Sequence, residues 1–354
     1  MKTLASEGFR AAPSRDERVF EAAKLFVEGK SGADYFKQAT LLEAFGTDDF
    51  PILLGDAFSK QAVKAQQDAV KEFEPILVDV TVDDFNEHKL VDLWGNEAFE
   101  PVGPGEEYKG GTLDETDLTH KAAKNGKSFG LTWELRRSRQ FSALANFPKL
   151  LGNGSIKGQN NAVGALLTQT NGWDTTFFPS VATAAFTPEN LDAAIKALAT
   201  TEDHRGDLVD TSQLVLVHGP ALRSEVNRVL KAIELEMQVT DGTKVTKTRI
   251  ANPFSNVVTP LESRTVGKLL GTKPNGWALI QGKGSDLPSI IRTLLSGEEA
   301  VDIRVKRDQG ARVGGGDVGV EEGSFNDDTI WFRGRDVYGI DKGFTTGVYA
   351  SNGA

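Results

Sequence analysis

The spacing of hydrophobic residues changes character several times along this chain. Ser14-Arg15-Asp16-Glu17 has the form of a capping box, and Val19, Phe20, Ala23, Phe26 and Val27 behind it fall on one helical stripe. Gly29 and Gly32 interrupt that helix. A second short helix is predicted from about Asp34 to Phe45, with Phe36, Ala39, Leu42 and Phe45 facing inward. The run from Gly46 to Pro51 reads as a turn, because a residue before proline is biased away from helix. A third helix is predicted over Ala57 to Phe73. Three thin amphipathic helices do not enclose a core, so residues 1–75 read as an arm that docks on something larger.

From Ile76 the period shortens to two, and Leu77, Val78, Val80 and Val82 predict a strand. Residues 87–127 are polar and rich in glycine and charge, too long for an ordinary connection. The span is either a disordered loop, a lid over an active site, or an extended hairpin. A lid needs a site to cover, and the extended hairpin is the expected form. Ser128 to Leu135 alternates again as a strand. A long helix is predicted at about 142–170, with Leu144, Phe147, Leu150, Leu151, Ile156, Val163, Leu166 and Leu167 on its apolar faces. Gly152, Gly154, Gly158 and Gly164 weaken it by up to about 1 kcal/mol each, and are expected where another backbone packs close or the helix bends.

After Trp173 the pattern becomes an α/β unit. Thr187-Pro188-Glu189-Asn190 caps a helix over Leu191 to Ala199, Gln213 to His218 is a buried strand, and Pro220 opens a helix. Further strands are predicted at 243–250 and 277–280. From Ala300 onward strands at 302–306, 329–333 and 346–350 alternate with glycine-rich turns. No repeat of solenoid or propeller period is visible.

Composition narrows the function classes. The chain has 354 residues, no cysteine and a formal net charge of −10. Cysteine chemistry is excluded, and the absence of thiols fits synthesis in a reducing cytoplasm. The acidic balance and the lack of a basic block argue against a sequence-specific nucleic-acid reader. No run of about 18 apolar residues marks a membrane span. His88, His120, His204 and His218 are scattered without metal-ligand spacing, and read as solvated or internally satisfied. Gly152-Asn153-Gly154-Ser155 lacks the strand and trailing glycine of a nucleophile elbow. Gly310 to Gly319 lacks the lysine-serine/threonine pair of a phosphate cradle and reads as a surface turn. The acidic pairs Asp48-Asp49, Asp83-Asp84 and Asp327-Asp328 lie at turns, where carboxylates cap backbone. Arg136, Arg137 and Arg139 form a small basic knot, read as a solvated or ion-paired face, with a neighbouring subunit's carboxylates as the functional alternative. No cofactor, metal site or catalytic residue is expected.

Several stretches, taken in order, resemble the Mu-like branch of tailed-phage major head proteins, which share the capsid fold named after phage HK ninety-seven. They are Leu42 to Pro51, Thr81 to Phe85, Phe99-Glu100-Pro101-Val102-Gly103, Glu107-Tyr108-Lys109, Phe141 to Leu167 and Phe332 to Gly339. Ser138-Arg139-Gln140 departs from the acidic turn that family members often carry before the long helix. The resemblance implies an α+β major capsid fold. Its parts would be an N-terminal arm (1–75), a peripheral domain (76–171) with an extended loop (87–127) and spine helix, an axial domain (172–297), and a return to the peripheral domain (298–354). It implies a non-enzymatic subunit whose loop residues Phe99, Glu100, Pro101, Glu107, Tyr108 and Lys109, and arm residues Phe45 and Phe50, touch neighbouring copies. Expected partners are further copies in pentamers and hexamers, scaffolding and portal proteins, possible decoration proteins, and packaged double-stranded DNA bound without sequence specificity; no membrane is involved. The expected location is the virion, after assembly in the host cytoplasm. The rivals are an encapsulin-like compartment of the same fold and, from a different class, an α/β hydrolase with a lid loop.

Overall fold

A computed structural model describes residues 50–95, 101–105, 107–108, 110–134, 141–232, 234–241, 244–254, 257–316 and 318–353. The arm helices expected before Phe50, and the Arg136, Arg137 and Arg139 knot, lie outside the described residues. In chain order the elements are α1 (Phe50–Asp68), β1 (Leu77–Val82), β2 (His88–Gly95), β3 (Leu113–His120), β4 (Lys124–Leu131), α2 (Phe141–Leu167), β5 (Thr168–Gln169), β6 (Gly172–Trp173), β7 (Val181–Ala182) and α3 (Pro188–Ala199). They continue with β8 (Leu214–His218), α4 (Arg223–Lys231), β9 (Glu234–Asp241), β10 (Lys244–Ala251), β11 (Val258–Glu262), α5 (Arg264–Leu269), β12 (Trp277–Gln281), β13 (Ile290–Leu295), β14 (Asp302–Val305), β15 (Ile330–Lys342) and β16 (Tyr349–Ser351).

These elements form two compact units. One comprises the described residues to Ala69 with Asn125–Ile156 and Ala300–Asp336, the other Val70–Lys124, Lys157–Glu299 and the residues from Val337. In the second unit the sheet order is β11-β8-β12-β16-β7. β8 and β12 are buried at every position, as continuous apolar runs covered on both faces should be. Their alternation sorts two cores. Val215, Val217, Ala278 and Ile280 join Phe73, Trp173, Phe177 and Phe178 on one face, while Leu214, Leu216, Trp277 and Leu279 meet α3 and α4 on the other. Thr187 caps α3 as expected, accepting a hydrogen bond from the Asn190 N–H at 3.2 Å with Pro188 in the first turn. Ser263 caps α5 through Val266 N–H and donates its own hydroxyl to Glu72 at 2.5 Å.

Also in this unit, β13 lies parallel to β1 and antiparallel to the later part of β15. No strand was expected at 290–295, because Arg292 and Thr293 interrupt its apolar run. Arg292 is only 7% exposed and is held by Asp79 (2.6 and 3.0 Å) and Glu74 (3.1 and 3.3 Å). β9, likewise unanticipated, pairs with β10 over their whole lengths.

In the first unit β14 pairs antiparallel with Phe332–Arg335 of β15, and β4 also pairs with β15. Gly152 of α2 permits the close approach expected of it: a Cβ there would lie 2.2 Å from the Ala62 carbonyl oxygen of α1. Gly154, in contrast, faces open space. The Gln66 amide donates to Ser155 (3.1 Å) and accepts from the Val301 N–H (3.0 Å), while the Ser155 hydroxyl donates to Asp336.

Several boundaries differ from expectation. α1 begins at Phe50 rather than Ala57, and Pro51, taken for a turn, sits in its first turn, where a missing N–H costs nothing. α1 ends at Asp68, and Phe73 is a buried core residue beyond it. The strand expected at 128–135 spans Lys124–Leu131. Pro220 opens a single 3-10 turn before α4.

This packing sets two stability outcomes. Arg292→Met removes the buried partner of Asp79 and Glu74 and leaves them only Lys283, 3.1 and 3.7 Å away. It should cost about 2–3 kcal/mol in denaturant unfolding, less than the ~3–5 kcal/mol of a fully buried pair, because both carboxylates keep some water and that second cation. Gly152→Ala gains about 1 kcal/mol of helix propensity but must push α1 away, so a net loss of about 1–2 kcal/mol is expected in the same measurement.

Candidate functional site

β2 and β3 form an antiparallel hairpin in register from His88↔His120 to Gly95↔Leu113. Side chains of directly opposed residues share a face, so the hairpin has two unlike sides. One side carries His88, Leu90, Asp92 and Trp94 with Thr116, Leu118 and His120. Leu118 packs with Val209, Leu287 and Phe344. His120 is buried; its Nδ1 lies 3.0 Å from the Thr293 hydroxyl, and its ring stacks on His88 at 6.0 Å. The Trp94 indole N–H donates to Thr116 at 3.0 Å and the ring meets His204 edge-on.

Asp92 is the anchor of this side. It takes two hydrogen bonds from the Arg205 guanidinium (2.9 and 2.8 Å) and lies 2.7 Å from His204 Nε2. His204 in turn stacks on Phe344 at 4.5 Å. Burial alone would raise the Asp92 pKa, but hydrogen bonds and charge from Arg205 and His204 outweigh it and hold the carboxyl below its usual range. The opposite side is bare: Leu93 is 60% and Leu113 75% exposed, with Val91 also exposed, and the Lys89–Asp117 ion pair, Glu115 and Thr119 lie beside them.

Within residues 87–127, where an extended hairpin is expected, His88–Gly95 and Leu113–His120 pair as a hairpin, and Lys124 onward already belongs to β4. Of the interface residues expected there, Pro101 and Glu107 are exposed and Tyr108 is 89% exposed. Phe99, Glu100 and Lys109 lie outside the described residues, as does Phe45; Phe50 opens α1. Asp92, His204 and Arg205 were not anticipated. The period-2 pattern of β2 could have placed Asp92 on the side of Leu90 and Trp94, but nothing in sequence connects it to residues more than a hundred positions away.

The other expectations about chemistry resolve as structure. His218 is buried with Nδ1–H donating to the Gly219 carbonyl, and burial lowers its pKa. Asp84 accepts from the Asn86 N–H and Asp327 from Ser324 and Thr329, as turn-capping carboxylates do. Gly310, Gly314, Gly315 and Gly316 take positive φ in a surface turn. Among the described residues no cluster of histidines and carboxylates could hold a metal ion, and no helix is long and apolar enough to cross a membrane.

The capsid of the cyanophage P-SCSP1u has the same fold: TM-score 0.50 at 10% identity, covering 81% of this chain and 89% of that one. A Gordonia phage Cozz structure is similar at TM-score 0.48 and 12% identity over 81% of this chain and 87% of that one. A Mycobacterium phage Ogopogo structure gives TM-score 0.44 and 15% identity over 78% and 90%. No curated protein sequence matches. The class is thus the α+β capsid fold of the HK ninety-seven type. The phage capsid protein family matches residues 115–351, and the chain belongs to it. It is a structural, non-enzymatic shell subunit that assembles with copies of itself in the virion capsid, which sets the hydrolase rival aside.

Asp92 makes the anchoring of the hairpin pH-dependent in a defined direction. A carboxyl with a depressed folded pKa contributes stability above its ordinary pKa of about 4 and loses it as pH falls through the lower folded value. The protection factors of the β2 and β3 amides in hydrogen exchange should therefore fall in that acid window. Asp92→Asn should show the same loss of protection at neutral pH; unchanged protection would rule out Asp92 as the anchor.

Proposed function

We propose that the chain is the major head subunit of a tailed phage, set in pentamers and hexamers of an icosahedral shell that encloses double-stranded DNA. The observation that carries this reading is the two-sided hairpin, anchored on one side through Asp92 while Val91, Leu93 and Leu113 stay exposed on the other. Ordered apolar side chains left in water on one sheet face are unfavourable for an isolated subunit and favourable once a neighbouring copy covers them. Residues 96–112 at the hairpin tip, with Pro101, Glu107 and Tyr108, serve as the loop that lies on that neighbour, joined by Phe99, Glu100 and Lys109. Of residues 1–75, those up to Phe50, with Phe45, serve as the arm, since Ala62, Gln66 and Phe73 farther on pack within the subunit itself.

In this assignment α2 is the spine of the peripheral domain, and the sheet centred on β8 and β12, with α3 and α4, is the axial domain. The Mu-like branch is the phage lineage favoured by the order of the matching segments. Scaffolding, portal and decoration proteins are the expected further partners, and the host cytoplasm the place of assembly. An acidic subunit suits this task, because a shell lining that gripped phosphate would hinder packaging and ejection of the genome.

Electron microscopy of the purified chain should show uniform shells or five- and six-membered rings. A monodisperse monomer would overturn the reading, and shells that enclose protein cargo instead of DNA would favour the encapsulin-like alternative. Replacing Asn96–Thr112 by Asn-Gly keeps the β2–β3 register in a two-residue turn. That variant should fold as a subunit and lose assembly.

A further inference from the structure

The sheet made by β4, β14 and β15 in the first unit has one face packed inward and one bare. Alternation along β15 buries Ile330 and Phe332 and turns Trp331 and Arg333 outward. Arg304 lies directly opposite Arg333, and Lys306 is held beside Trp331 by its N–H to the Trp331 carbonyl at 2.8 Å. Together with Ser128 these side chains line an open groove of about 560 Å³. In a chain of net charge −10 this is a local concentration of positive charge.

Asp302 accepts from Arg304 (2.9 Å) and also pairs with Arg335 (3.3 Å). Lys306 pairs with Asp308, but Arg333 has no carboxylate partner among the described residues. Like charges directly opposed across a strand pair destabilise it, so Arg304 and Arg333 are arranged at a cost unless an anion lies over them. Trp331, 37% exposed, adds an aromatic surface to the same groove.

The hairpin tip has the complementary chemistry. Between Gly95 and Thr116 the sequence carries Glu97, Glu100, Glu106, Glu107, Asp114 and Glu115 against the single cation Lys109. Tyr108, almost fully exposed, comes directly after Glu106 and Glu107. We infer that the groove over Arg304, Lys306, Trp331 and Arg333 receives the acidic hairpin tip of a second copy of this chain. Carboxylates of the tip take the unshared guanidinium of Arg333, and the Tyr108 segment covers Trp331. Packaged DNA fits less well, because Asp302 and Asp308 already neutralise Arg304 and Lys306, and binding a phosphate backbone needs a row of unneutralised cations rather than one guanidinium. The inference rests on the shell reading and names the surface on which one of its loops lands.

The test is a charge exchange. Arg304→Glu/Arg333→Glu changes exposed side chains and breaks the surface Arg304–Asp302 pair, so the subunit should still fold, with only a small drop in its thermal unfolding temperature, while particle yield falls by at least about tenfold. Adding Glu106→Lys/Glu107→Lys to the same chain should restore particles, because the reversed charges again face each other between copies. As a check independent of variant folding, a peptide of residues 96–116 should inhibit assembly of the unaltered chain, and the same peptide with its carboxylates replaced by amides should not. If the unaltered chain forms no shells, the shell reading itself fails. If it forms shells and the double reversal assembles equally well, the groove assignment alone is overturned. Normal particles that merely lose DNA, or a combined variant that stays unassembled although folded, overturn it as well.

Discussion

The placement of the hairpin depends on a buried cation. Arg292 sits in the middle of β13 with almost no exposure, and a guanidinium in that position is tolerable only if its charge is matched and its donors are used. Burial works against the charge, and Asp79 and Glu74 more than offset it. Both partners belong to the short stretch at β1, so satisfying Arg292 ties β1 against β13 in the parallel register Leu77↔Ile290. The next residue, Thr293, meets His120 at the root of the hairpin. One polar pair in an otherwise apolar strand thus fixes where β1 lies and where the hairpin leaves it. Asp92 with Arg205 repeats the device farther along, so the apolar side of the hairpin is turned outward by ion pairs seated on the inward side.

Packing elsewhere obeys ordinary alternation and the absence of side chains at a few points. The sheet around β8 and β12 divides its residues between two cores by parity alone, and aromatic edge-to-face contacts such as Phe186 on Trp277 and Phe177 on Phe178 fill each side. Gly152, Gly158 and Gly164 all lie where a Cβ would strike a neighbour: the Ala62 carbonyl, the Tyr338 hydroxyl, and Leu269 with Thr265. α2 therefore gives up intrinsic helix propensity along its length for close approach of other segments, a trade that makes sense only in a helix held by tertiary contacts.

What could be read from sequence was what local physics decides. The cap at Thr187, the buried runs of β8 and β12, the turn carboxylates at Asp84 and Asp327 and the long helix near 141–167 each announce themselves within a few residues. The hairpin was legible because a polar span of that length between two strand patterns has few other forms. The rest depends on pairings distant in sequence. β13 was hidden because Arg292 looks like a solvent residue until Asp79 is placed beside it. The anchor of the hairpin was hidden because Asp92 and Arg205 carry no signal separately. Pro51 is ambiguous in sequence because proline is compatible with both a turn and a first helical turn, and only the residues after it decide between the two.

Charge distribution explains how an acidic subunit can favour its own company. Copies of a chain with net charge −10 repel one another at long range, and at physiological salt that repulsion is screened beyond about 8 Å. Association must therefore come from short-range matching. The described surface offers two elements suited to that: the apolar side of the hairpin, with Leu93 and Leu113, and the cationic groove of Arg304 and Arg333. The first supplies non-directional burial and the second selects among partners, because an acidic segment is attracted to the groove while most of the acidic surface meets nothing complementary. Long-range repulsion with a few local attractions penalises random aggregation more than it penalises docking in one register. A shell built from many copies needs that discrimination, since a contact made wrongly is repeated and does not close.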